Sequence, residues 1–170
     1  MSDGRVTPIE RWKDNPYAAD LGDMHVMAAL RNGPARIKTI VDGLTPARMA
    51  SSYAPGRWTA AQLLVHLAQC EFVFGSRVRM ALADASYIVQ PFDQDAWLQR
   101  EAATDGRVAF WAYYAMRHLN LQLFETLRPE DRRRPLMHPE RGPMIVEWIL
   151  ESLAGHERHH LPHFETIAKS

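Results

Sequence analysis

Apolar positions along this chain recur at helical spacing in four stretches, and polar connectors rich in proline and glycine separate them. The first stretch, about Asp20 to Val41, places Met24, Met27, Ala28, Leu30, Ile37 and Ile40 at apolar positions. Gly33-Pro34 is expected to break or kink it, because a proline inside a helix lacks the N–H and crowds the preceding turn. The second runs from Thr59 to about Ala83, with Leu63, His66, Leu67, Cys70 and Phe74 on one stripe. It opens on "TAAQ", a capping box in which the Thr59 hydroxyl accepts from the third backbone N–H and Gln62 reaches back. The third, about Thr104 to Leu127, has Val108, Trp111, Ala115, Leu119 and Leu123 near a helical period. The fourth, about Pro143 to Ile167, carries proline in its first turn and lines up Ile145, Ile149, Leu153, His156, His160 and Phe164.

No segment reads as a strand, and no repeat or low-complexity tract is present. Four long helices with loops of this size predict an all-α four-helix bundle, with residues 1–170 as one domain and about residues 1–19 as an N-terminal extension.

Composition narrows the function classes. Hydrophobic residues make up 46% and charged residues 24%, which is ordinary for a folded soluble domain. Twenty basic residues balance twenty acidic ones, so the broad positive field on which non-specific nucleic-acid binding relies is missing. No apolar run approaches the roughly 20 residues that span a bilayer. Neither nucleic acid nor a membrane is expected as a partner. Cys70 is alone, and the start "MSDGRVTPIERWKDNP" is polar, which together point to a cytoplasmic protein.

The chemistry concentrates in "GHERHHLPHF", Gly155 to Phe164, which holds four histidines. Residues four apart on a helix are rotated by about 40° and rise about 6 Å, so His156 and His160 can reach one ion. Their face continues Ile149 and Leu153, so the rings should point into the bundle. His66, on the core stripe of the second helix, supplies the third imidazole. The candidate metal ligands are therefore His66, His156 and His160, around a divalent ion with positions left for water or substrate. Three neutral donors leave the ion's charge uncompensated, which suits an anion or a thiolate.

The stretch also spells H-E-x-x-H, the zinc-protease motif. Only ten residues follow His160, and Glu157 is rotated about 100° from His156, so the protease reading is set aside. His159 and His163 border the ligand face and are read as ordinary flanking residues, with Pro162 expected to distort the last turn. Cys70, one turn from His66, is read as a small buried hydrophobe, and Glu71 as a surface or supporting group. Asp93 and Asp95, in "PFDQDAW", are read as turn and cap formers.

The blocks "LRNGPARIKTIVDGLTPARMASSYAPGRWTAAQLLVHLAQCE", "PFDQDAW" and "HERHHLPHF", in this order, resemble the DinB-like superfamily of small metal-binding proteins, the DNA-damage-inducible bacterial family. The resemblance spans about Leu30 to Ile167. It implies a four-helix bundle with a histidine triad, carried onto His66, His156 and His160, with zinc or nickel as the metal and a homodimer as the assembly. Some relatives are thiol-dependent transferases or isomerases. The function it suggests is a metal-dependent thiol S-transferase acting on a small-molecule electrophile with a low-molecular-weight thiol. A non-catalytic metal- or ligand-binding dimer of the stress response is the alternative, and a metal-dependent hydrolase comes third. No catalytic residue is assigned.

Overall fold

A computed structural model describes residues 15–170, and four long helices form its frame. With the shorter elements counted in chain order, these are α2 (Val26–Asp42), α4 (Ala60–Ala83), α6 (Gly106–Phe124) and α8 (Val146–Lys169). Short helices fill the connections: α1 (Ala18–Leu21), α3 (Pro46–Met49), α5 (Gln94–Arg100) and α7 (Pro129–Arg132). The four-helix bundle predicted from the periodicity is the architecture found.

Several local predictions hold in detail. Thr59 caps α4, its hydroxyl accepting from Gln62 N while the Gln62 side chain accepts from Thr59 N. Asp93 caps α5 by accepting from Ala96 N. Ile149, Leu153, His156, His160 and Phe164 are all buried along α8.

The structure departs from a simple periodicity reading in three places, each for a readable reason. The chain does contain strands: Pro135–His138 (β1) and Gly142–Ile145 (β2) form an antiparallel ribbon in which Met137 pairs with Pro143. Pro143 therefore sits in a strand rather than in the first turn of α8. Gly142, the first residue of β2, has φ +81°, open to glycine at no steric cost, where the chain leaves the turn and enters the strand. Leu136 and Met144 bury against the core, so the ribbon seals one end of the bundle.

Second, α2 runs unbroken through Gly33-Pro34. Pro34 leaves the Leu30 carbonyl without its helical donor, and the buried Arg117 guanidinium donates to that oxygen at 3.1 Å instead. Likewise α8 continues through Pro162 to Lys169.

Third, the apolar row on α6 faces outward. Val108, Trp111 and Leu119 are 63%, 53% and 63% exposed, while Ala109, Phe110, Tyr113, Arg117, Asn120 and Phe124 turn inward. Two polar residues could take the inner face because α4 and α8 carry their partners. Arg117 pairs with Glu71 and with Glu157, and Asn120 donates to the Glu71 carboxylate. No described helix is long and apolar enough to cross a membrane.

Candidate metal centre

Helix α4 delivers His66 and helix α8 delivers His156 and His160 to a single interior point. His66 Nε2 lies 2.8 Å from His156 Nε2, and His160 Nε2 lies 3.0 Å from the same atom. The three rings meet edge to face and are buried. Burial pushes the His66 imidazolium down to about pKa 4 and His160 to about 2, and holds His156 well below the ordinary range. Mutual repulsion adds to this for His156 and His160. All three are neutral at physiological pH.

Neutral imidazoles so arranged cannot satisfy one another. Each ring nitrogen carries in the ring plane either one hydrogen or one lone pair, so His156 Nε2 can pair with only one of its two neighbours. A cation at the convergence point would meet three lone pairs at once. Nitrogens about 2.1 Å from a common ion lie about 3.0–3.4 Å apart, close to the spacing seen. The donor set therefore fits a divalent metal. No carboxylate belongs to the cluster among the described residues.

The surroundings orient the rings. Trp58 tilts over His66 with centroids 4.8 Å apart, and Tyr17 sets its ring against His156 at 5.0 Å. Gly155 permits the second contact, since a Cβ there would stand 2.4 Å from the Tyr17 carbonyl oxygen. His163 is not one of the converging three. Its Nδ1 lies 3.3 Å from His160 Nδ1, and its ring stacks on Tyr53 at 3.9 Å. It holds His160 from behind, as outer partners of ligating histidines do. His159 is exposed and lies 3.4 Å from the Asp20 carboxylate. Cys70 is buried with its Sγ 3.7 Å from His66 Nε2, and burial raises its pKa far above the ordinary thiol value.

Glu157, the glutamate of H-E-x-x-H, points away from the imidazoles into a second buried cluster. Arg117 Nη1 meets its carboxylate at 2.7 Å and the Tyr113 hydroxyl donates to it. Glu71 is also fully buried here, not on the surface, with Arg117 Nε donating to it at 2.8 Å. Helix α2 approaches at Gly33, where any Cβ would fall 1.4 Å from Glu157 Oε1. The motif glutamate is a structural anchor beside the centre. Sequence reading missed Tyr17, Tyr53 and this network; Arg117 and Asn120, three apart within an apolar helix, were its one visible signal.

The model of the DinB superfamily matches residues 29–163. The chain belongs to the DinB superfamily. A protein of Oceanobacillus iheyensis named "Putative metal-dependent hydrolase OB0782" is 26% identical over 137 residues, covering 80% of each chain. "Putative metal-dependent hydrolase YfiT" of Bacillus subtilis is 24% identical over 143 residues, 82% of this chain and 80% of its own. The solved structure of YfiT, titled as having "an unusual four-helix bundle topology", superposes with a TM-score of 0.79 at 22% identity, covering 96% of this chain and 91% of that one. This likeness places the DinB-superfamily chain in the same fold.

Proposed function

We propose that this protein is a divalent-metal-dependent enzyme that activates a small thiol for attack on a small electrophile, with His66, His156 and His160 holding the ion. The observation that carries the reading is a buried cluster of three neutral imidazoles that has no carboxylate of its own among the described residues. Zinc or nickel suits an all-imidazole donor set. Such an ion supplies Lewis acidity that lowers the pKa of a thiol or water presented to it.

The chain's own residues favour the thiol. Three uncharged donors leave the positive charge for an incoming anion to balance. A free thiol has a pKa of about 8.5 and ionises near neutral pH without a dedicated base. Water needs more help, and the residue that gives it in H-E-x-x-H proteases is here committed to Arg117 and Tyr113. Trp58 and Tyr17 pack their rings against His66 and His156.

Hydrolysis is the second reading, supported by the names that the relatives carry. One experiment separates the two. Metal-loaded protein is assayed with a thiol plus 1-chloro-2,4-dinitrobenzene, and in parallel with a p-nitrophenyl ester without thiol. Thiol-dependent turnover that disappears in the His66→Ala/His156→Ala/His160→Ala variant is the expected result. Ester turnover lost in the same variant would replace thiol transfer by hydrolysis. Activity unchanged in that variant would refute both.

A further inference from the structure

Beside the histidines lies a cavity of about 170 Å³ with a different chemistry, bordered by Tyr17, Arg77, Phe92, Arg141, Trp148 and Ser152. Two observations in it lack an internal explanation. The Ser152 hydroxyl is buried, with the residue 1% exposed, and has no hydrogen-bond partner. Such an orphan costs about 1–3 kcal/mol unless something fills the need. Arg77 is only 6% exposed, yet its guanidinium meets one neutral acceptor, the Gln90 carbonyl at 3.0 Å, and the face of Phe74 at 5.4 Å. Among the described residues no carboxylate pairs with it. A guanidinium has five N–H donors, and a buried cation without a counter-ion is costly.

The rest of the lining agrees in sign and shape. Arg141 lies at the same cavity with its guanidinium 5.9 Å from the centre of the Trp148 ring. Glu140, exposed at the rim, is the one acidic residue of the lining, so two cations face one surface carboxylate. His138 there is held neutral by burial and by the nearby Arg77, and its Nδ1 already accepts from Glu140 N. The rings of Tyr17, Phe92 and Trp148 supply an apolar part of the wall beside these polar groups. The volume resembles that of an engineered cavity of ~150 Å³ that admits benzene.

We propose that this cavity is a subsite for the carboxylate of a small, flat, apolar acid, with Arg77 and Arg141 taking the charge and Ser152 donating to a carboxylate oxygen. Its position links it to the candidate metal centre. Ser152 precedes His156 by one turn of α8, and Tyr17 both borders the cavity and touches the His156 ring. An acid anchored here would lie one helical turn from His156, with Tyr17 between them. The assignment names the electrophile's class for the proposed enzyme and rests on that reading only for the reacting end; the anion subsite stands by itself.

The test is calorimetric titration of the full chain with benzoate and with benzamide, its uncharged isostere. Benzoate should bind at least tenfold more tightly. Arg77→Gln should weaken benzoate at least tenfold, and Ser152→Ala and Arg141→Gln about threefold to tenfold each, with benzamide unchanged. Ser152→Ala and Arg141→Gln keep the test decisive if Arg77→Gln does not fold, since neither removes a paired buried group. Chelator-treated protein and His66→Ala should still bind benzoate. If binding is lost in both, benzoate sits on a metal ion and the subsite is overturned. Equal binding of the two probes, or binding unchanged in Ser152→Ala and Arg141→Gln, overturns it as well. Arginine-dependent binding by protein that holds no metal would uphold the subsite while removing the metal reading.

Discussion

Replacing Arg117 by methionine removes the hub of the second buried cluster while roughly preserving volume. The Glu71 and Glu157 carboxylates would lose their cation, the Asn120 and Tyr113 donors alone would remain to them, and the Leu30 carbonyl freed by Pro34 would lose its donor. Breaking a buried pair by deleting one partner costs about 3–5 kcal/mol, because a charge is left behind in the interior. For a chain of this size each kcal/mol moves the melting temperature by about 2–4 °C, so Arg117→Met should melt roughly 6–20 °C lower.

The pH dependence gives a second check. Burial already raises the Glu157 pKa against the pull of Arg117. Without Arg117 the folded-state pKa rises further above the unfolded value, so the folded state gains protons first and the variant recovers stability as pH falls. The gap to the parent protein should be smaller at pH 5 than at pH 8. Thermal melts followed by circular dichroism at both values read this out. A gap below 2 °C, or one that widens towards pH 5, would refute the account of Arg117 as the counter-ion of two buried carboxylates.

Other consequences are simpler to state. Elemental analysis should find about one divalent ion per chain and none in His66→Ala; retention of metal in that variant would exclude His66 as a ligand. Saturating metal at a hundred times its Kd should stabilise the chain by about 2.7 kcal/mol, so chelation should lower its melting temperature. In metal-free protein the depressed His66 pKa of about 4 means that the unfolded chain binds a proton first as pH drops below about 6.5. Stability should therefore fall by about 2 kcal/mol from pH 7.5 to pH 5 through His66 alone, measured by urea titration; equal stability at the two values would contradict burial of neutral rings. Gly33→Ala should destabilise by about 1–3 kcal/mol, since its Cβ collides with a carboxylate pinned by Arg117 and Tyr113, and an unchanged urea midpoint would mean that Glu157 has freedom to move.

Local rules account for much of this protein. Hydrophobic periodicity, the Thr59 capping box and the i, i+4 spacing of His156 and His160 were enough to outline the long helices and to pair two imidazoles, because each depends on residues within one or two turns; His66 was reached only through its place on the core stripe of another helix. Sidedness was a different matter. Helix α6 offers two competing faces, one apolar through Val108, Trp111 and Leu119, the other carrying Arg117 and Asn120, and periodicity favours the wrong one. The polar face turns inward because Glu71, on α4, and Glu157, on α8, stand opposite it, and pairing across 46 residues in one direction and 40 in the other leaves no local trace. The same holds for Pro34, whose missing N–H is compensated by an arginine 83 positions later, and for Tyr17, which reaches His156 only because Gly155 lets the chains approach. Short-range sterics and hydrogen bonds shaped the rods. Which charges could be buried together was decided only when the rods met.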